Sequence, residues 1–266
     1  MANFSILPDL DRKPKSVKFS SETFLFADDV ALVAHSDDDL QNLLDDFSNA
    51  CDDFGVTISL QKTKIMTQGI DASSSLSIKD YALEMVNSFI YLGSTITRTT
   101  SLDSEIGKRI GYDATNMSKL SQRVWENQKL TISTKMAVYR ACIISKLLYG
   151  SESWTTYAAQ EKRLNVFHLR CLRRILSISW QDRITNSAVL ERADIPSVFT
   201  LLRQRRLRWI GHVFRMDEGR IPKHLLYGEL VQGKRPVGRP KLRFKDVVKR
   251  DVGHQSFSRF VGVSCK

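Results

Sequence analysis

The sequence lacks the features that mark several large classes of protein. It contains no run of about 18 or more apolar residues, the length that a helix needs to cross a membrane, so no transmembrane span and no membrane partner are predicted. The first twenty residues show no basic stretch followed by an apolar one, so no secretion signal is indicated. No internal repeat is visible. We therefore expect an intracellular protein, either nuclear or cytoplasmic.

Cysteine is scarce and widely spaced. The four cysteines are Cys51, Cys142, Cys171 and Cys265. The absence of any C-x-x-C pair argues against a zinc ribbon, and the spacing argues against a disulfide framework. Residues 253–266 add only one histidine to the last cysteine, too few ligands for a four-coordinate zinc site. We expect reduced cysteines.

Basic residues are few in the first part of the chain and abundant in the rest. Residues 1–100 contain 8 Lys and Arg against 15 Asp and Glu, whereas residues 101–266 contain 32 against 14. This division predicts an acidic segment suited to metal ions, joined to a basic segment suited to phosphates. Basic helical proteins also bind acidic proteins or anionic membranes, so the charge alone does not decide between these partners.

A hairpin and a helix are the clearest local patterns in the acidic part. Residues 23–34 contain two short apolar runs that flank Asp28 and Asp29, as in a tight hairpin with the acids at its turn. Ser36, with an aspartate three residues later, forms a capping box. The apolar residues that follow have helical spacing and predict an amphipathic helix of about four turns that stops at Gly55.

The remaining pattern predicts an α+β fold. Strands are predicted at residues 56–60, 65–67, 86–91 and 94–97. Helices are predicted near residues 103–126, 131–149, 159–177, 184–193, 197–215 and 241–251, with breaks at Gly150 and near Pro196. The predicted order is therefore an antiparallel sheet with a helix, then a mostly helical module and a basic tail. The predicted divisions are a poorly ordered lead-in at 1–20, a sheet domain at 21–100, a helical module at 101–216 and a tail at 217–266.

The adjacent acids at the predicted hairpin turn are candidate metal ligands. Two neighbouring carboxylates repel each other, and a divalent cation relieves that repulsion. Mg²⁺ prefers carboxylate and phosphate oxygens, and phosphoryl transfer by two metal ions needs several carboxylates around ions about 3.5–4 Å apart. The alternative is an ordinary turn in which Asp28 or Asp29 bonds to the backbone. The pair alone leaves both interpretations open.

The residues around the pair resemble a known family. Phe26-Ala27-Asp28-Asp29 resembles the aromatic–Ala–Asp–Asp motif of reverse transcriptases from non-LTR retrotransposons. The resemblance implies that these acids cap a hairpin of a palm domain, of which the chain carries a part, and hold catalytic Mg²⁺. It also implies a helical thumb after the palm, with RNA and DNA as partners.

A lysine segment follows in the order that this family shows. The predicted amphipathic helix leads to residues 55–59 and then to Lys62-Thr63-Lys64, similar to the family's Gly…Asn…Lys-Thr segment, with Ser59 near the usual Asn. By this resemblance Lys62 or Lys64 lies near the incoming triphosphate, where a compact cation suits phosphate charge. The alternative is a pair of surface lysines beside a strand.

Further resemblances extend along most of the chain. Tyr91-Leu92-Gly93, within residues 89–94, resembles the hairpin that grips the primer terminus. Downstream matches to the family's thumb and linker lie at residues 147–154, 206–216 and 233–240. The ordered set favours metal binding over an ordinary turn for the paired acids.

Arginines crowd one segment of the predicted helical module. They are Arg203, Arg205, Arg206, Arg208 and Arg215. We expect these arginines to form a nucleic-acid face and the interleaved Trp209 to lie in the core. The tail adds the candidate contacts Lys234, Arg235, Arg239 and Lys241. Residues 235–240 resemble a minor-groove hook, but Val237 replaces its usual arginine, so a solvated basic linker is favoured.

The family pattern is incomplete in this sequence. The family uses another catalytic aspartate on a palm strand well upstream of the paired acids, and a fingers domain that positions the template. Asp9 and Asp11 have no apolar strand to place them across a sheet from Asp28, so we do not expect either to replace it. We therefore expect a truncated RNA-directed DNA polymerase that is inactive alone. The alternatives are a non-catalytic RNA- or DNA-binding protein and a decayed transposon product without function; the oligomeric state is not predicted.

Overall fold

The structure, a computed structural model, describes residues 15–17, 22–68, 75–230, 238 and 240–253. The chain divides into two compact units. The sheet unit lies within residues 17–105, and the helical unit begins at Ile106 and also includes Lys15 and Ser16. Most of the predicted lead-in at 1–20 lies outside the described residues.

Short strands pair two by two. In chain order they are β1 (Lys15–Val17), β2 (Glu22–Phe26), β3 (Asp29–Val33), β4 (Lys64–Ile65), β5 (Ser77–Ile78), β6 (Tyr81–Ala82), β7 (Glu84–Met85), β8 (Ser88–Tyr91), β9 (Ser94–Thr97) and β10 (Gly228–Leu230). The pairs are β1–β10, β2–β3, β4–β7, β5–β6 and β8–β9. The β4–β7 pair is parallel. The α+β class is confirmed, with small antiparallel sheets at β2–β3, β5–β6 and β8–β9 that remain separate among the described residues.

The helices follow the spacing of apolar residues. They are α1 (Asp37–Asp53), α2 (Asp103–Lys119), α3 (Ile132–Tyr139), α4 (Ser145–Leu147), α5 (Ala158–Ile175), α6 (Asn186–Ala193), α7 (Val198–Arg215), α8 (Ile221–Tyr227) and α9 (Phe244–Gly253). Residues 121–125 and 140–144 are π-helical continuations of α2 and α3. The breaks lie where they were predicted, because Gly150 has a φ of +73° and Pro196 lies in the turn between α6 and α7. No helix among the described residues is long and apolar enough to cross a bilayer.

Helix α1 organises the sheet unit. Its N-cap is Ser36, whose Oγ accepts a hydrogen bond from the Asp39 N–H at 3.1 Å, and it ends before Gly55, whose φ is +68°. Leu44 of α1 packs in a core of five buried side chains, the others being Ile65, Leu76, Ile78 and Leu83. Leu32 of β3 packs against the same core, so the β2–β3 hairpin is anchored to α1.

The segment after α1 differs from its prediction. Residues 56–60 form no strand, because the Ser59 carbonyl accepts hydrogen bonds from the N–H groups of Lys62 and Thr63, each at 3.0 Å, and so forms a turn. Ile58 and Leu60 still pack on the sheet-unit core. The alternation of apolar residues therefore reflects one-sided burial without strand pairing.

The core of the helical unit lies between α3, α5 and α7. Tyr139 of α3, Leu164 and Leu172 of α5, and Val198 and Leu202 of α7 are fully buried. A second cluster joins α7 to α8 and α9 through residues such as Ile210 and Val248. The predicted short helix at 241–251 is present as α9, displaced by about one turn.

Candidate functional site

The paired acids lie at the tip of the β2–β3 hairpin. Phe26 pairs with Asp29, so Ala27 and Asp28 form a two-residue turn, and Ala27 has a φ of +51°. Both aspartates are exposed. A left-handed alanine costs about 1–2 kcal/mol, a strain of the kind that concentrates at functional sites. The predicted hairpin with acids at its turn is confirmed.

One face of this hairpin is apolar and uncovered by the described residues. Side chains alternate across a strand pair, so Phe24, Phe26, Asp29 and Val33 share the face opposite Leu32. Phe24, Phe26 and Val33 are 37%, 62% and 51% exposed. The Asp29 carboxylate therefore lies at the end of an exposed apolar surface.

The two carboxylates fit a hard divalent cation. They are adjacent, exposed and rich in oxygen, and Mg²⁺ takes one or two carboxylates and completes its shell with water or phosphate. Among the described residues, no three His, Cys, Asp or Glu side chains cluster in a way that could hold a metal ion. Asp28 and Asp29 thus offer two ligands, and further ligands have to come from elsewhere.

The two candidate lysines differ in their surroundings. Lys64 of β4 forms an ion pair with Glu84 of the neighbouring β7. Lys62 lies in the turn formed by the Ser59 carbonyl and is exposed. Lys62 is therefore the more accessible cation for a phosphate, while the charge of Lys64 is already balanced.

The predicted primer-grip-like hairpin is a tight turn. Tyr91 pairs with Ser94, and the two residues between them, Leu92 and Gly93, have φ values of +47° and +75°. Positive φ at both positions matches the twist of a two-residue hairpin. Glycine adopts this conformation freely, whereas a leucine there is strained.

Arg206 is a correction to the predicted nucleic-acid face. Its side chain is buried, with Nε 2.6 Å from Asp251 Oδ2, Nη1 3.0 Å from Thr156 Oγ1 and Nη2 3.3 Å from Glu161 Oε1. A guanidinium with these partners cannot reach a phosphate. Arg250 also lies 3.3 Å from Glu161, so the cluster joins α5, α7 and α9. We call Thr156, Glu161, Arg206, Arg250 and Asp251 the buried ion cluster.

The other α7 arginines divide into two groups. Arg203 lies 3.7 Å from Asp251, and Arg205 donates to the Leu148 carbonyl at 2.8 Å, so both support the fold. Arg208 and Arg215 are exposed. Trp209, predicted to lie in the core, is only half-buried and its ring contacts His212. Of the tail candidates, Lys241 is exposed, and Lys234, Arg235 and Arg239 lie outside the described residues.

Comparison with known proteins finds similarity to reverse transcriptases. Residues 5–96, which include the paired acids and the hairpin turn at Leu92, match the family model for reverse transcriptase (RNA-dependent DNA polymerase). An RNA-directed DNA polymerase from the mobile element jockey of Drosophila melanogaster is 23% identical over 167 residues. These matches support the resemblance to reverse transcriptases of non-LTR retrotransposons.

The relatives differ in how much of them the chain covers. The jockey match spans 59% of this chain and 18% of the jockey polymerase. An uncharacterized transposon-derived protein of Caenorhabditis elegans is 26% identical over 239 residues, which is 85% of this chain and 84% of that protein. No solved structure matches the chain.

The helical unit also contains a buried polar cluster that the sequence did not reveal. The Tyr139 hydroxyl lies 2.8 Å from His168 Nδ1, and both side chains are fully buried, with Cys171 nearby on α5. Burial raises the pKa of the Cys171 thiol to about 12, so this cysteine is no nucleophile. Cys51, Cys142 and Cys171 are free, and Cys265 lies outside the described residues.

Asp113 of α2 is a further buried titratable group of the helical unit. Burial raises the pKa of its carboxyl to about 6, an effect that a hydrogen bond from Asn116 partly offsets. Its Oδ2 has no hydrogen-bond partner among the described residues. The sequence carried a signal of this burial, because Asp113 falls seven residues after Ile106 and four before Met117, on the stripe that α2 buries.

Proposed function

We propose that the chain contributes to RNA-directed DNA synthesis by binding catalytic Mg²⁺ through Asp28 and Asp29. The observation that carries the proposal is the exposed pair of carboxylates on a two-residue turn, within the segment that matches the reverse transcriptase family model. When bound, Mg²⁺ would supply charge neutralisation at the transferring phosphoryl group. Asp28 and Asp29 would hold that ion.

The surrounding residues have defined parts in this proposal. Lys62, exposed in its turn, would neutralise triphosphate charge, and Lys64 would orient β4 through its ion pair with Glu84. The strained turn at Leu92 and Gly93 would position the primer end. RNA and DNA are the proposed substrates.

The division of the chain supports a domain assignment. We assign the sheet unit to a partial palm and the helical unit up to Met216 to a thumb-like module, followed by a basic tail. The boundary between the two units, after Glu105, lies close to the change in charge and in secondary structure near residue 100.

The described residues alone are proposed to be inactive in polymerisation. In-line phosphoryl transfer by two metal ions needs more carboxylates than one adjacent pair, and the described residues provide no third ligand beside Asp28 and Asp29. A complete site would draw another carboxylate from a palm segment that is not among them. Metal binding and catalysis are therefore separable properties.

Primer extension and metal binding test the proposal together. On an RNA template with a DNA primer in Mg²⁺, we expect the purified full chain to show no extension above background. In a Mn²⁺ titration followed by electron paramagnetic resonance, we expect the double variant Asp28→Asn/Asp29→Asn to lose a site that the wild type has. Asp45→Asn/Asp46→Asn, an exposed pair on α1, is the matched control and should leave that site unchanged.

Two results would count against the proposal. Equal Mn²⁺ binding by the wild type and Asp28→Asn/Asp29→Asn would remove the hairpin as a metal site. Extension that depends on Asp28 and Asp29 would support the metal site but refute the inactivity of the chain alone.

A further inference from the structure

The arginines of α7 were the sequence's candidate for nucleic-acid binding, but α5 also carries exposed cations. Lys162 and Arg170 are exposed, and neither has a hydrogen bond or ion pair with the described residues. Arg174 is also exposed. Arg170 and Arg174 are one helical turn apart, and Lys162 lies eight residues before Arg170, so the three span about 18 Å of helix and about a third of its circumference.

The acid of α5 does not neutralise this face. Glu161 points into the buried ion cluster, where it lies 3.3 Å from Arg206. Arg173 and Arg174 are held by neutral groups and by one surface acid: Arg173 donates to the Ile184 carbonyl at 2.8 Å, and Arg174 donates to Ser121 at 2.5 Å and lies 3.4 Å from Glu126. Because a guanidinium has five N–H donors, both keep donors that can contact a phosphate.

A shallow cleft of about 540 Å³ opens on this face. It is lined by the apolar residues Val166, Leu169 and Ile178, by Arg170, Arg173 and Arg174, and by Asn186. We call this feature the α5 cleft. Apolar side chains beside several cations suit a ligand with flat faces and a charged edge, which is the chemistry of a nucleotide.

An exposed tryptophan stands in the loop that borders the α5 cleft. Trp180, two residues after Ile178, is 85% exposed. Its loop is held in place: the Ser179 N–H donates to Asp182 Oδ2 at 2.6 Å, and the Gln181 N–H donates to Ser179 Oγ at 3.2 Å. A large aromatic ring fixed in solvent is unusual in a folded protein and offers a platform on which an unpaired base can stack.

We propose that the α5 cleft and Trp180 form a binding site for single-stranded nucleic acid. Arg170 and Arg174 contact phosphates at the cleft, Lys162 contacts a phosphate further along the strand, and Trp180 stacks on a base. The stacking ring selects single strands, since bases of a duplex already stack on one another. This site does not use the Asp28–Asp29 hairpin, so this proposal is independent of the proposed metal binding.

The charge part of the proposal is tested on the full chain in EDTA, which removes any contribution from a metal site. Lys162→Gln/Arg170→Gln removes two cations without touching the bonds that Arg173 and Arg174 make to the fold. With a fluorescent oligo(dT), we expect each lost contact to weaken binding about fivefold at about 0.1 M salt and to reduce the slope of log K against log salt by about 0.7. The matched control is Arg208→Gln/Arg215→Gln, which removes two exposed cations from α7.

The control distinguishes the α5 surface from the α7 surface. We expect Arg208→Gln/Arg215→Gln to bind oligo(dT) nearly as the wild type does. Losses as large in the control as in the α5 variant would overturn the α5 site, and so would equal competition by poly-glutamate, which has charge but no bases.

The stacking part is tested at Trp180. Trp180→Ala should weaken single-strand binding about tenfold, Trp180→Phe should retain most of it, and both should bind a hairpin duplex as the wild type does. Because Trp180 is exposed, neither variant should change the urea midpoint of unfolding. Undiminished oligo(dT) binding by Trp180→Ala would overturn the stacking role.

Discussion

Asp113 and His168 are buried in the helical unit, and their protonation links stability to pH. The pKa of Asp113 is raised by burial to about 6, from an ordinary value of 3.8. The pKa of His168 is lowered by burial to about 4, from 6.5. As pH rises from about 4 to about 6, Asp113 keeps its proton in the folded protein but has lost it in the unfolded chain. This residue therefore lowers the free energy of unfolding over that window. His168 makes stability rise in the same window, because there only the unfolded chain is protonated.

Asp113→Asn should separate these opposing effects. We expect the variant to match the wild type near pH 4 and to be more stable by about 1–3 kcal/mol at pH 7, because it removes the cost of a buried carboxylate. Urea unfolding at pH 4.5 and pH 7 measures the difference. Asp217→Asn, an exposed change in the same unit, is the control and should show no such divergence. A constant difference between Asp113→Asn and the wild type at both pH values would contradict the assigned pKa.

At the scale of elements, features that depend on residues close together in the sequence were predicted. Contacts between residues far apart in the sequence were missed. The hairpin at Asp28, the cap at Ser36 and the helix of α7 depend on local spacing, and all three are present. The partners of Arg206 lie 45 residues away in either direction, which no local pattern reveals. One signal was available: Arg206 falls four residues after Leu202 and four before Ile210, on the stripe that α7 buries.

The buried ion cluster should hold α9 and α5 against α7. Arg206→Met leaves Asp251 and Glu161 buried without their partner, and we expect it to lower the free energy of unfolding by about 3–5 kcal/mol. Arg208→Met, on the exposed face of the same helix, should change it by less than about 0.5 kcal/mol. Urea unfolding monitored by circular dichroism compares them. Similar midpoints for the two variants would mean that the cluster contributes no net stability.

At the scale of the molecule, the sheet unit is acidic and the helical unit is basic. The β2–β3 hairpin places an apolar face on the surface of the sheet unit. Phe24, Phe26 and Val33 lie on that face beside Asp29, and β2–β3 has no third strand among the described residues. Contiguous exposed apolar area and open strand edges favour association. We therefore expect the hairpin that carries Asp28 and Asp29 to promote association of the chain.

Replacing part of this face should reduce association without unfolding the sheet unit. Phe24→Thr/Val33→Thr keeps residues that favour strands, and neither side chain belongs to the core around Leu44. We expect less concentration-dependent association in sedimentation velocity and less binding of an apolar dye, with a urea midpoint close to that of the wild type. Leu225→Thr, which changes a leucine 61% exposed on α8, is the control and should leave association unchanged. If Leu225→Thr lowers association as much as the hairpin variant does, exposed apolar area in general causes the association. If neither variant lowers it, the hairpin face does not mediate contact between chains in solution.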